Sequence, residues 1–268
     1  MIHLAFTCEY DGSRYHGFQF QPREATVQGE LLRVFRSLLR DNFKMRAAGR
    51  TDRGVHAIGQ VISVRSDASF RWDRFMELSN DRLSPYVRLT REFKKDWDFH
   101  PRYQALLRYY RYVLCDDLSL RTPVMHGYTA FTPGRLDWDA VASAAERLQG
   151  TQNFTSFTKR PIDHQRLTRS IDRIRLSTSG SFHFLDFHGR SFLRGQIRNI
   201  MGWLIAVGMG RYPPEMIDEL LAKSKKDVAV RPAPPEGLYL MQIWYPGDAM
   251  PDWWAPPEAA SELVEDDE

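Results

Sequence analysis

The chain has 268 residues, with 43% hydrophobic and 26% charged side chains, 17 Gly and 15 Pro, and a formal charge of +3. That length suggests one large domain or two fused halves, and the composition excludes a fibrous or wholly disordered chain. The charge is uneven. Residues 258–268 carry six acids and no Lys or Arg, which leaves residues 1–257 with 37 basic and 28 acidic side chains, a net +9. A basic body is compatible with a nucleic-acid partner, and an acidic end of this kind is expected to be solvated and disordered. The longest apolar stretch, Ile200 to Gly210, falls short of the ~20 residues a membrane helix needs, and Met1 to Tyr10 has no signal-peptide character. Cys8 and Cys115 form no C-x-x-C pair, so neither a disulfide framework nor a zinc site is expected, in keeping with a reducing cytoplasm.

In chain order, Ile2, Leu4, Phe6 and Cys8 alternate with His3, Ala5 and Thr7, the pattern of a half-buried strand. Tyr10-Asp11-Gly12-Ser13 reads as a turn. Val27, Leu31, Val34, Phe35 and Leu38 follow helical spacing and predict an amphipathic helix over 26–40. Val55 to Val64 is strand-like, Trp72, Phe75, Met76 and Ser79 suggest a second helix, and Val87 to Lys94 an edge strand. The order β-α-β-α-β then recurs. Tyr110, Tyr112 and Leu114 share a strand face, and Trp138, Val141, Ala142 and Ala145 a helix face. Ile174 to Thr178 and Phe182 to His188 read as strands, Phe192 to Val207 as a long apolar helix, and Leu238 to Trp244 as a buried strand. The expected architecture is α+β: two ferredoxin-like halves, 1–104 and 105–250, forming a central mainly antiparallel sheet flanked by helices, with an acidic tail over 251–268.

Three segments concentrate chemistry. Gly49-Arg50-Thr51-Asp52-Arg53-Gly54-Val55-His56 places a carboxylate between two arginines in a Gly-flanked loop. Neighbouring cations favour the ionised carboxylate, and an ionised carboxylate in such a loop can act as a nucleophile; an ordinary Asx-type turn with a surface salt bridge fits the same residues. Arg194 and Arg198, four apart on the predicted apolar helix, would share a face and attract an anion, or snorkel to solvent. Arg108-Tyr109-Tyr110-Arg111-Tyr112 alternates basic and aromatic residues, as in surfaces that stack single-stranded or flipped bases, or packs its tyrosines in a core. Metalloprotease, P-loop, dinucleotide and nucleophile-elbow motifs are absent.

Taken in order, these segments resemble the bacterial tRNA pseudouridine synthase A family, from Tyr10 to about Tyr245. Tyr10-Asp11-Gly12-Ser13, Gly17-Phe18-Gln19 and Thr26-Val27-Gln28-Gly29 look like the family's opening, and Gly49 to Ala57 like its catalytic loop. His100-Pro101-Arg102-Tyr103, Arg108 to Tyr112, Asn153 to Phe157, Phe192 to Ile200 and Gly237 to Leu240 are similar to its later motifs. The chain departs from the common pattern at Phe18, where Trp is frequent, and at Arg53, where a small residue is frequent. The resemblance implies conversion of uridine to pseudouridine at positions 38, 39 and 40 of the tRNA anticodon stem-loop. It implies Asp52 as the catalytic aspartate, Tyr110 against the target base, Arg198 paired with Asp52, and Arg50 holding a flipped nucleotide. Thr51, Arg53, His56 and Arg194 are secondary candidates. A cytoplasmic homodimer with no cofactor and no metal is implied.

The chemistry suits the residues. Uracil must leave the sugar through N1, turn, and rejoin through C5, and a carboxylate can stabilise or capture the oxocarbenium-like sugar that results. Two alternatives stand beside it. A non-catalytic RNA-binding protein with ferredoxin-like halves would explain the basic body but not Asp52. A ribosyl hydrolase would want a second carboxylate, for which Asp11 is the nearby candidate.

Overall fold

A computed structural model of the chain describes residues 1–158, 167–222 and 230–255. The acidic run expected to form a disordered tail, from Glu258 onward, lies outside the described residues. The chain divides into two compact units, 1–106 with 239–255, and 107–238. Elements of the first are β1 (Ile2–Tyr10), α1 (Val27–Leu39), β2 (Lys44–Ala47), β3 (His56–Ser66), α2 (Phe75–Asn80) and β4 (Val87–Lys94). The second holds β5 (Leu107–Cys115), α3 (Pro123–His126), β6 (Ala130–Phe131), α4 (Trp138–Glu146), β7 (Gly150–Asn153), β8 (Thr168–Ile171), β9 (Arg173–Ser179), β10 (Phe182–Gly189), α5 (Gln196–Gly208) and α6 (Met216–Ala222). From Tyr239 on, β11 (Leu238–Trp244) belongs to the first unit. The fold is α+β with mainly antiparallel sheets, as expected.

In the first unit β1 runs antiparallel to both β3 and β4. The other side of β3 is shared. β2 pairs antiparallel along Ile62 to Arg65, and β11 pairs parallel at His56 and Ala57. One sheet face carries Leu4, Phe6, Ile62 and Val64, all buried, since the pleat sends alternate side chains to opposite faces. The helices cover this face. Phe75 of α2 lies 5.5 Å from the Phe6 ring and 5.1 Å from Phe35 of α1. Thr26 starts α1 by accepting a hydrogen bond from Gly29 N–H at 3.2 Å, a cap worth about 1 kcal/mol. Val27, Leu31, Val34, Phe35 and Leu39 form its buried stripe.

β2 was not anticipated, so the expected β-α-β-α-β order becomes β-α-β-β-α-β, the ferredoxin-like arrangement in full. The reason is compositional. Lys44-Met45-Arg46-Ala47 alternates exposed and half-buried residues on a short strand and has almost no apolar signal.

In the second unit β10 lies antiparallel between β5 and β9, β6 pairs parallel with the end of β5, and β7 and β8 form a separate antiparallel ladder. Tyr112, Leu114, Leu185 and Phe187 are buried on one face. Asp137 caps α4 by accepting from Ala140 N–H at 2.9 Å.

The apolar helix begins later than expected, at Gln196, because Gly195 precedes it in the left-handed region with φ 69°. Arg194 therefore stands outside the helix. The expectation that Arg194 and Arg198 share a helical face does not hold. Asn199 is buried and donates from Nδ2 to Gly195 O at 2.9 Å.

Candidate active site

The β2–β3 hairpin sets the position of Asp52. Its connecting loop, residues 48–55, contains the whole charged motif. The loop is held from the floor of the sheet by buried polar groups. Ala48 N–H donates to Val61 O at 2.8 Å, closing the hairpin beneath the loop. Gln60 is fully buried, and its Nε2 donates to Gly49 O at 3.1 Å. Gln60 Nε2 also reaches Tyr10 Oη at 3.5 Å. Tyr10 Oη shares a 2.9 Å hydrogen bond with Thr51 Oγ1. On the backbone side, Phe18 N–H donates to Thr51 O at 3.1 Å and Val55 N–H to Asp52 O at 3.1 Å, making the Asp52–Val55 segment a tight turn. Gly17, with φ 98°, sits under this turn, where a Cβ would lie 3.0 Å from Thr51 O.

A second set of contacts holds the other end. Gly12 N–H donates to His56 Nδ1 at 3.2 Å, and the His56 ring stacks on Tyr239 at 4.7 Å between centroids. Asp11 Oδ1 is 3.4 Å from the same Nδ1, but a nitrogen accepting from the Gly12 N–H has no proton to give a carboxylate there. Asp11 instead accepts from Ser13 N–H at 3.0 Å, capping the turn Gly12–Arg14. That is a structural employment for the carboxylate weighed as a hydrolase's second acid. A Cβ on Gly12 would overlap the Val55 carbonyl, so this loop and the one carrying Asp52 are in backbone contact.

The result is a half-buried Asp52 flanked by exposed Arg50 and Arg53, with Thr51 and His56 buried beneath. Of the sequence candidates, these five share one loop and its root. Thr51 and His56 face inward and act on the loop's shape. Tyr10, Phe18 and Gln60 were not singled out as part of the support. Gln60 offered a signal, being an uncharged polar residue inside the apolar run Val55 to Val64.

The remaining candidates lie in the second unit. Tyr110 on β5 is 9% exposed, and its ring meets Phe192 edge-on at 5.3 Å. Tyr112, on the same face, is fully buried and donates to Pro234 O at 2.9 Å. The alternating basic residues of this strand are already engaged. Arg111 makes a two-pronged ion pair with Asp186 at 2.7 and 2.8 Å, and Arg108 donates to Arg190 O. Both guanidinium groups are thus committed within the fold. Tyr109 stacks on His188 at 4.6 Å, and burial, reinforced by the Asp186 carboxylate, raises its phenol pKa.

Arg198 lies in the first turn of α5. Its Nε donates to Ala233 O at 2.9 Å, while Ala233 N–H donates to Arg198 O at 2.8 Å. This reciprocal bond fixes the guanidinium's base. Arg194 is exposed, and its backbone carbonyl accepts from Thr158 Oγ1 at 3.2 Å.

Comparison with known proteins settles the family. A tRNA pseudouridine synthase A from Syntrophomonas wolfei is 36% identical over 249 residues, covering 93% of this chain and all of the relative. The chain belongs to the tRNA pseudouridine synthase A family. A family member from Cupriavidus pinatubonensis is 37% identical, covering 92% of this chain and 91% of its own. Another from Shewanella halifaxensis is 33% identical at 91% and 94% coverage. A family model described as tRNA pseudouridine synthase matches residues 144–246. This chain is therefore an isomerase that forms pseudouridine in tRNA.

Proposed function

We propose that Asp52 is the nucleophile and that the uridines converted are those at positions 38, 39 and 40 of the anticodon stem-loop. The observation that carries the first part is the construction of the 48–55 loop. Buried Gln60, Tyr10 and Thr51 and three backbone bonds hold a half-buried carboxylate between two exposed guanidinium groups. A carboxylate fixed in this way needs little reorganisation when charge develops on the sugar. The exposed Arg50 and Arg53 suit phosphates of an extruded nucleotide, whose removal from the stack costs a few kcal/mol. Tyr110, braced by Phe192, supplies an aromatic face for the base. Arg198 is the proposed ion partner of Asp52, its guanidinium base being set by Ala233. A cytoplasmic homodimer working without cofactor or metal completes the proposal.

The test is nucleoside analysis and modification mapping of an unmodified tRNA transcript after incubation with the purified protein. Wild type should yield pseudouridine at 38–40. Asp52→Asn keeps the shape and hydrogen-bonding capacity but removes the charge; it should fold, bind tRNA and form no product. Substantial product from Asp52→Asn would remove Asp52 from its assigned role. Arg198→Lys keeps the charge and loses the planar fork, so it should cut turnover at least ~10-fold, which corresponds to about 1.4 kcal/mol. Full activity in Arg198→Lys would mean that no forked pairing is used.

A further inference from the structure

The far end of the first unit's sheet carries a group of polar atoms that the active-site loop does not use. The register sets His3 opposite Arg65 and Ala5 opposite Ser63 on β1 and β3, and Lys44 and Arg46 of β2 opposite Arg65 and Ser63. These side chains share the sheet face turned away from α1 and α2. His3 and Ser63 are buried at 4% and 1% exposure. Among the described residues, His3 Nε2, Ser63 Oγ and Arg65 Nε are each buried without a hydrogen-bond partner. An orphaned buried polar atom costs about 1–3 kcal/mol, and three lie along one strand pair.

The chemistry these atoms lack is specific. His3 Nδ1 lies 2.8 Å from the Asp96 carbonyl oxygen, which can only accept, so Nδ1 holds the proton and Nε2 presents a lone pair. Arg65 Nε needs an acceptor, and Ser63 Oγ can give or accept. The complementary ligand offers a hydroxyl donor within reach of an anion. A ribose 2′-OH beside a phosphodiester is such a pair. The surroundings agree in sign. Burial lowers the His3 pKa, the Asp96 carbonyl opposes this, and Arg65 and Arg46 add to it, so the charges facing this imidazole are positive. Arg65 packs its guanidinium 4.1 Å from the Trp97 ring centroid. Trp97 is 47% exposed and stands edge-on above His3 at 6.2 Å. The exposed indole face beside Arg65, with Arg46 near His3, is the combination that holds RNA strands.

We propose that this face, centred on His3, Arg46, Arg65 and Trp97, is a second RNA-backbone site that grips tRNA outside its target loop. The proposal rests on the tRNA pseudouridine synthase reading. Distance gives it its role. His56 and Arg65 are nine residues apart on β3, roughly 30 Å at ~3.3 Å per residue. Spanning that separation takes close to a full turn of duplex. A short hairpin with its loop at Asp52 falls short of it, whereas whole tRNA reaches it.

The experiment measures Kd against salt for two RNAs, a full-length unmodified tRNA transcript and the isolated anticodon stem-loop hairpin, with wild type and Arg46→Gln/Arg65→Gln. Thermal unfolding checks the fold of each variant. The double variant should bind the full-length transcript about 10-fold more weakly, and its log–log salt slope should be shallower by about 1.5–2. Its affinity for the hairpin, and its turnover at saturating tRNA, should match wild type. Trp97→Ala should weaken only full-length binding, and Trp97→Phe should restore most of it. Unchanged full-length affinity and slope, or equal losses on both RNAs, would overturn the second site. Wild-type pseudouridine formation, scored in the same reactions, reports separately on the enzymatic reading.

Discussion

The carboxylate at the centre of the proposed chemistry is held by residues that touch no substrate. Tyr10 Oη bonds Thr51 Oγ1 at 2.9 Å and accepts a longer contact from Gln60 Nε2 at 3.5 Å, so Tyr10→Phe removes this hydroxyl's buried bonds while keeping the ring against Phe18, 6.0 Å away. A lost buried hydrogen bond costs about 1 kcal/mol. The expected signature is a small fall in unfolding stability with a larger fall in kcat than in KM for tRNA. An effect on stability alone, with kcat unchanged, would show that Tyr10 supports the fold and not the loop's alignment. Much of the loop's inner construction was hidden in the sequence. Asp52, Arg50 and Arg53 stood out because charged residues packed between glycines are unusual. Tyr10 did not, because its partner is 41 residues away; Gln60 was marked only as a polar residue in an apolar run, and nothing local names its partner 11 residues away.

Elements with strong periodicity were readable, and those without it were not. α1 came within one residue at each end, because its buried stripe and its Thr26 cap agree. β2, β7 and β8 were missed because they are four-residue strands with little apolar content. α5 was begun four residues early, since an apolar run does not reveal that Gly195 takes a left-handed backbone, and the error misplaced Arg194. The contact between the Gly12 turn and the hairpin root is another feature that hydropathy does not show. A Cβ at Gly12 would overlap the Val55 carbonyl. Gly12→Ala should therefore push the turn off His56 and destabilise the protein by about 1–3 kcal/mol. It should also lower turnover, since the displaced backbone leads directly into the Asp52 turn. Equilibrium denaturation with a parallel activity assay checks both. Wild-type stability would mean that the turn relaxes without strain.

At the scale of the molecule, the two α+β units were legible as a repeated pattern, but the return of the chain to the first unit at Tyr239 was not, because an apolar strand does not announce its partner. Both units bury histidines, and this couples stability to pH. Burial lowers the pKa of His3 and His100 in the first unit and of His183 in the second. His188 is lowered to about 4, chiefly by burial, with Asp186 opposing and Arg173 adding to the shift. In each case the folded pKa lies below the unfolded value of about 6.5. The unfolded chain then binds more protons across that interval. The stability these groups contribute is fully present above pH 6.5 and drains away as pH falls towards 4. Acidification through this window therefore weakens the fold through each of these four histidines. His188 is partly exposed, so its share at pH 5 is about 1 kcal/mol after solvent screening. His188→Phe keeps a ring to stack on Tyr109 and removes the proton site. Urea denaturation at pH 7.5 and pH 5.0 should show wild type losing more stability on acidification than His188→Phe. Equal losses would mean that His188 opens to solvent and titrates normally in the folded protein.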